Sequence, residues 1–158
     1  MKPTAHSVFS HPAQFFAFGL GSGLSPKAPG TVGTVAAIPF YCLMAFLPLG
    51  SYSALVLVAA LIGIYLCGEA ARELGVHDHP GIVWDEFVGF WITMWAVPFT
   101  GLNVLLGFAL FRLFDIWKPW PIRWCDRHVH GGLGIMLDDV LAGVMACAVL
   151  HLCVAWIG

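Results

Sequence analysis

The sequence predicts an all-α fold: a multi-helix integral membrane bundle of about five apolar helices with its polar loops on the cytoplasmic side. Three observations carry this. Of 158 residues, 59% are hydrophobic and only 10% are charged, against roughly 25% charged in an ordinary soluble domain. A small soluble domain must cover much of its surface with polar groups. Seven Lys and Arg with nine Asp and Glu are too few to do so, and the mean hydropathy of +0.86 points the same way. The apolar residues also fall in long uncharged runs, and the charges collect between alternate runs. The length allows one domain, 1–158, and no more.

Five apolar segments follow in order, at 31–50, 52–68, 87–99, 103–117 and 140–157. A helix needs about 20 residues to cross a hydrocarbon core of roughly 30 Å. The first, second and last meet that length. The third and fourth do so only if polar residues at their ends are included. Lys2 and Lys27 precede the first segment, and the turn at 47–52 carries no charge. Glu69, Arg72, Glu73, Asp78, Asp85 and Glu86 lie between the second and third, and the turn at 97–103 is again uncharged. Lys118, Arg123, Asp126, Arg127, Asp138 and Asp139 follow the fourth; Arg112 and Asp115 lie near its end. Threaded in and out, the chain puts every one of these charges on one face. The positive-inside rule makes that face cytoplasmic, with the N-terminus inside and the C-terminus outside. Nine carboxylates beside anionic headgroups are repelled unless a cation offsets them, so the pattern implies a polar site with bound metal at that interface.

Composition also excludes classes. A formal charge of −2 with seven basic residues cannot support a stripe that tracks nucleic-acid phosphates. Lys2, followed by His6, His11 and Gln14, does not open a secretory signal. Cys42, Cys67, Cys147 and Cys153 sit in apolar runs and Cys125 in a basic one, without CxxC spacing, so free buried thiols are expected.

Four polar clusters carry the chemistry. Residues 19–31, GLGSGLSPKAPGT, place Lys27 in a Gly- and Pro-rich loop before a helix, suited to an anion or simply to an irregular entry into the bilayer. In 78–89, DHPGIVWDEFVG, Asp85 and Gly89 share a helix face one turn apart, and Gly89 admits a close neighbour. Asp85 and Glu86 diverge by roughly 100° on a helix, so one of the two is expected to face a site. In 111–123, Arg112 and Asp115 are spaced i,i+3 and Lys118 continues their face until Pro119. The alternative there is snorkelling cations in an aromatic belt. In 130–143, a glycine-rich run leads to Asp138 and Asp139, near the first turns of a helix whose dipole would favour them. Ala142, Gly143 and Ala146 offer a small face for close helix packing. Glu69, Arg72 and Glu73 read as a salt-bridged helical extension, His77 and His79 flank Asp78, and His151 reads as a hydrogen-bonded packing residue.

Clustered carboxylates select a hard divalent cation, with Mg2+ the default where phosphate is handled. Lys and Arg nearby neutralise phosphate oxygens. Phosphate monoester hydrolysis is among the slowest uncatalysed reactions, and charge stabilisation is what its catalyst must supply. A lipid phosphatase at the cytoplasmic surface is the leading class.

The runs SPKAPGTVGT at 25–34, IVWDEFVG at 82–89, FRLFDIWKPWPI at 111–122 and GGLGIMLDDVLAG at 131–143 resemble the phosphatidylglycerophosphatase A family. The resemblance covers nearly the whole chain, in the family's order. It implies Mg2+-dependent removal of the terminal phosphate of phosphatidylglycerophosphate in the bacterial inner membrane, and an all-helical fold. Lys27, Asp78, Asp85, Glu86, Arg112, Asp115, Lys118, Asp138 and Asp139 match the family pattern. We assign Asp85, Glu86, Asp138 and Asp139 to the metal, with Asp85, Asp139 and Asp115 catalytic, Asp115 as base or further ligand. Lys27, Arg112 and Lys118 are assigned to phosphate, and Asp78 is a further candidate.

Two other classes compete. A CDP-lipid headgroup transferase also gathers acids and metal at this interface, but its DGxxAR…GxxxDxxxD run is absent. An ion or proton channel would need a periodic polar stripe along a span, and the acids collect at one end instead. Cysteine-dependent and aspartyl-phosphate phosphatases lack their motifs here, which leaves either activated water or a carboxylate as nucleophile.

Overall fold

A computed structural model describes residues 3–158, so Lys2 lies outside the described residues. These residues form eight α-helices and one 3-10 turn, with no strand among them. Two short helices, α1 (Ala5–Ser10) and α2 (Pro12–Ala17), precede the 3-10 turn Ser22–Leu24. Then follow α3 (Pro29–Met44), α4 (Leu49–Leu74), α5 (Trp84–Thr93), α6 (Gly101–Trp117), α7 (Ile122–His128) and α8 (Gly131–Ile157).

Local chemistry sets these limits. Pro29 occupies the first turn of α3, where a missing N–H is harmless. Pro48 precedes α4, and Gly75 ends it in the left-handed region at φ 69°. The Thr100 side chain accepts from the Asn103 N–H at 3.1 Å to start α6. Lys118 ends α6 in the left-handed region at φ 51°, just before Pro119.

Helix α8 is the hub. It packs against α4, α5, α6 and α7, and α3 closes over the other side of α5. The core between them holds Tyr41, Phe87, Phe90, Met94, Phe111 and Leu150. Among the described residues, only α4 and α8, at 26 and 27 residues, are long and apolar enough to cross a bilayer by length and composition. About a third or less of each apolar window is buried. Leu57, Leu61, Tyr65, Val144, Leu152 and Trp156 instead stand exposed.

The five-span expectation is therefore not reproduced as drawn. The third segment makes a helix that ends at Thr93 and has 10 residues, about 15 Å long. Eight of its residues are buried, so it is a core helix sealed by its neighbours. Helices α3 and α6, at 16 and 17 residues, fall short of a full crossing. Helix α4 continues past 68 to Leu74 because Glu69, Arg72 and Glu73 extend it. As expected there, Arg72 pairs with Glu69. Glu73 turns elsewhere, accepting from Gln14 Nε2 at 2.8 Å.

Candidate active site

The site is built where α5 begins. The loop through 19–24 docks on the segment before α5, and Val83 N–H donates to Ala17 O at 2.7 Å. That fixes the entry of α5 and puts Asp85 and Glu86 in its first turn. The positive end of the helix dipole favours carboxylates at this position.

The opposing wall is α8. A Cβ added to Gly143 would lie 2.5 Å from Gly89 O, and one on Gly89 would lie 2.9 Å from Asp139 O. Two backbones touch at this seam, which only glycine permits. The small residues read from the sequence thus serve to draw Asp139 opposite Asp85 and Glu86. One carboxylate oxygen from each of these three residues lies within 4.8 Å of the others. They line a cavity of about 100 Å³ with Asp78, Asp115, Asp138 and Lys118.

The polar accounting of this cavity is unusual. Asp85 Oδ1, Glu86 Oε2, Asp138 Oδ1 and Asp139 Oδ2 are buried without a hydrogen-bond partner. An unsatisfied buried polar group costs roughly 1–3 kcal/mol, more when charged, so four together call for a compensating ligand. Burial, and then each other's charge, pushes Asp85 far above the usual carboxylate range. Burial, and then Asp139, does the same to Glu86. Hard oxygen donors crowded to this degree fit a divalent cation such as Mg2+. Asp85, Glu86 and Asp139 could hold it, with Asp138 beside them.

Lys118 lines the cavity, whereas Arg112 does not line it and lies behind, near Glu86. Lys118 Nζ lies 3.2 Å from Asp126 Oδ1 and 3.9 Å from Asp138 Oδ2. Burial works to lower the Lys118 ammonium, but Asp126 and Asp138 outweigh it and hold the pKa above the ordinary lysine value. Arg112 pairs with Asp115, as their i,i+3 spacing implied. Its Nε is buried and unpartnered. A Cβ on Gly30 would meet Glu86 Oε1 at 2.9 Å and the Arg112 guanidinium at 3.2 Å, so the first turn of α3 abuts this group. Lys27 is different. It is exposed in the loop before α3 and does not line the cavity. Asp78 lines it from the α4–α5 connection. Burial raises Asp78, and Lys118 offsets part of that rise.

Three sequence expectations change here. Asp85 and Glu86 both face the cavity, despite their angular separation, because the cavity wraps the open end of α5. Asp138 and Asp139 are not at a helix start: α8 begins at Gly131, which puts them two turns inside, and the dipole explanation fails. His79 lines the cavity, whereas His77 leaves it to hydrogen-bond His130 at 2.9 Å. Asp126 went unassigned in sequence. Burial works to raise its carboxyl, but hydrogen bonds with Asp138 and Lys118 hold it below the usual range. Its only sequence signal is its place between Arg123 and Arg127, which suggests the wrong partners.

A family model described as "PgpA: Phosphatidylglycerophosphatase A" matches residues 15–154. Phosphatidylglycerophosphatase A of Escherichia coli (strain K12) is 55% identical over 143 residues, covering 90% of this chain and 83% of that protein. The protein of the same name from Haemophilus influenzae is 43% identical over 92% of this chain and 91% of its own length. A Bacteroides thetaiotaomicron protein, provisionally named a phosphatidylinositol-3-phosphatase, is 42% identical over 80% of this chain and 83% of its own. No solved structure matches.

Proposed function

The chain belongs to the phosphatidylglycerophosphatase A family, and from that premise we propose that it hydrolyses the terminal phosphate monoester of phosphatidylglycerophosphate. Water supplies the oxygen to phosphorus, the phosphorus–oxygen bond to the glycerol breaks, and the glycerol oxygen takes a proton. The products are phosphatidylglycerol and inorganic phosphate, a step of bacterial phospholipid synthesis. The observation that carries this reading is the set of four buried, unpartnered carboxylate oxygens in one cavity with Lys118 at its rim.

Mg2+ would be held by Asp85, Glu86 and Asp139, with Asp138 bonded directly or through water. When bound, it supplies Lewis-acid stabilisation of charge on the phosphate and offsets the carboxylates. The chain's own groups do the rest. Lys118 brings positive charge to the phosphate oxygens, held in place by Asp126. Arg112 keeps Nε free while Asp115 fixes its other face. Asp115, lining the cavity, is the candidate base for the attacking water. Lys27, at the exposed loop, meets the substrate only as it arrives. Asp78 adds a further acid at the mouth.

The whole of 1–158 acts as one membrane-embedded domain in this reading. Helices α4 and α8 cross the bacterial inner membrane, with α3 and α6 alongside and α5 sealed among them. Their exposed apolar faces suit contact with lipid, and the one-sided charges support a site at the cytoplasmic surface. The Bacteroides relative supports a second reading, in which the monoester sits on an inositol headgroup. A cavity of about 100 Å³ grips the phosphate and leaves the headgroup outside.

Phosphate release by the purified protein in detergent tests both. Phosphatidylglycerophosphate is expected to turn over with Mg2+ and to stop with EDTA. Faster release from phosphatidylinositol 3-phosphate would favour the inositol reading. Equal rates with Mg2+ and with EDTA would remove the metal from the account.

A further inference from the structure

A second cleft lies beside the turn that carries Lys118 and is unused by the chemistry above. It has a volume of about 380 Å³ between the end of α6 and α7, walled by Trp117, Trp120, Trp124, Arg123 and Arg127. The three indoles are 58%, 79% and 53% exposed. Trp124 is stacked on His128 at 4.6 Å, which stiffens one wall.

The charges of α7 are what make the cleft informative. Arg123 and Arg127 are spaced i,i+4, where like charges repel. The acid that could neutralise them, Asp126, is committed to Lys118 at 3.2 Å. Arg123 donates only a long bond to Trp117 O at 3.4 Å. Neither arginine has a carboxylate partner among the described residues. Two unpaired guanidiniums over an indole-lined cleft fit a phosphate oxyanion whose remainder is apolar. Apolar surface continues from it along α6. Leu113 and Trp117 are one turn apart on one face, and exposed Ile116 adjoins them.

We propose that this cleft binds an anionic phospholipid other than the substrate, its phosphodiester between Arg123 and Arg127 and an acyl chain along Leu113 and Ile116. A soluble phosphate would gain nothing from three exposed indoles or from the apolar stripe. Tryptophan favours the membrane interface, and each arginine there adds attraction to anionic headgroups. The inference rests on the membrane placement above and not on the phosphatase assignment.

Quenching of tryptophan by brominated lipids tests it on the full chain in neutral detergent. Brominated phosphatidylserine is the probe, being net anionic with no monoester for the catalytic cavity; brominated phosphatidylcholine, whose choline cation cancels its phosphodiester charge and repels the arginines, is the reference. The parent should reach half-quenching at about tenfold lower phosphatidylserine than phosphatidylcholine, and added NaCl should erode that preference. The double variant Arg123→Gln/Arg127→Gln should quench equally with both lipids while still releasing phosphate within about twofold of the parent. Arg72→Gln, on α4, should keep the preference. A parent without preference, one indifferent to salt, or a double variant that retains the preference would overturn the site. So would loss of hydrolysis along with the preference, since the arginines would then belong to the catalytic cavity. Preference intact in a parent that hydrolyses no monoester would support the cleft and remove the phosphatase reading.

Discussion

The two ends of α8 treat polar groups in opposite ways. Toward its C-terminus the polar side chains of His151, Trp95, Tyr52 and Asn103 meet partners. His151 Nε2 donates to Trp95 O at 2.9 Å, and Trp95 Nε1 donates to Ser53 Oγ at 2.9 Å. Nearby, Tyr52 Oη donates to Trp91 O at 2.5 Å and Asn103 Nδ2 to Pro98 O at 2.8 Å. Around Asp138 and Asp139 the polar atoms meet each other, acid against acid, with four oxygens unsatisfied. Both ends belong to one helix in one apolar fold, so hydrophobicity does not explain the contrast. The C-terminal end is arranged for stability and the other for something that is not protein. A chain that needed only to fold would replace the acids with packed apolar groups at no loss.

The largest effect should come from breaking the acidic end. Asp85→Asn or Asp139→Asn, each isosteric, should lower phosphate release by about a thousandfold or more while the protein still inserts and purifies normally. Near-parental turnover in both would erase the contrast. Next is the seam that positions these acids. Gly143→Ala adds a methyl 2.5 Å from Gly89 O, and α5 must move away. We expect a loss of about 1–3 kcal/mol in stability and about a hundredfold in turnover, read by thermal melting and by phosphate release.

A smaller effect has opposite signs at the two ends. Without metal, Asp139→Asn should raise the melting temperature by a few degrees, because it removes charge from a site that repels it. Tyr52→Phe should lower it, by about 1 kcal/mol of lost hydrogen bond. The same reasoning gives a pH dependence. Burial raises Asp85 and Glu86, so the metal-free fold takes up protons that the unfolded chain releases. Its stability is full below the ordinary carboxylate range and falls as pH rises through the raised values. Melting without metal should therefore be higher near about pH 5 than near about pH 8, and saturating metal should flatten or reverse the slope. Smallest of all is Arg72→Gln on the exposed Glu69 pair, which should change neither melting nor turnover measurably.

Much of this arrangement was legible in the residues. Gly89 and the small face of Ala142, Gly143 and Ala146 announced a close helix contact, because absent side chains have few other uses inside an apolar bundle. The acids announced a cation because their charge had no other offset on that side. Depth was what the sequence hid. Asp138 and Asp139 read as lying in or near the first turns of a helix because 131–134 is glycine-rich, yet tertiary packing lets α8 begin at Gly131 and carry both acids inward. Likewise 87–99 looked like a span, since an apolar run is the same whether protein or lipid surrounds it, and only the packing of α3, α6 and α8 around α5 distinguishes them. Asp126 was hidden because its partner, Lys118, is brought round by a left-handed turn that periodicity does not foresee. The place of Lys27 relative to the acids was also hidden: its loop docks so that Gly30 lies against Glu86 and Arg112, with the lysine exposed.

The central claim is that α5 and α8 grip a single cation together. Its most direct test is Mn2+ binding, followed by electron paramagnetic resonance on the purified protein, in Asp85→Asn, Asp139→Asn and the double variant. If the two carboxylates share one ion, each single change should abolish most of the bound signal and the double change should add little further loss. Independent, additive losses, or full Mn2+ binding in either single variant, would contradict a shared site.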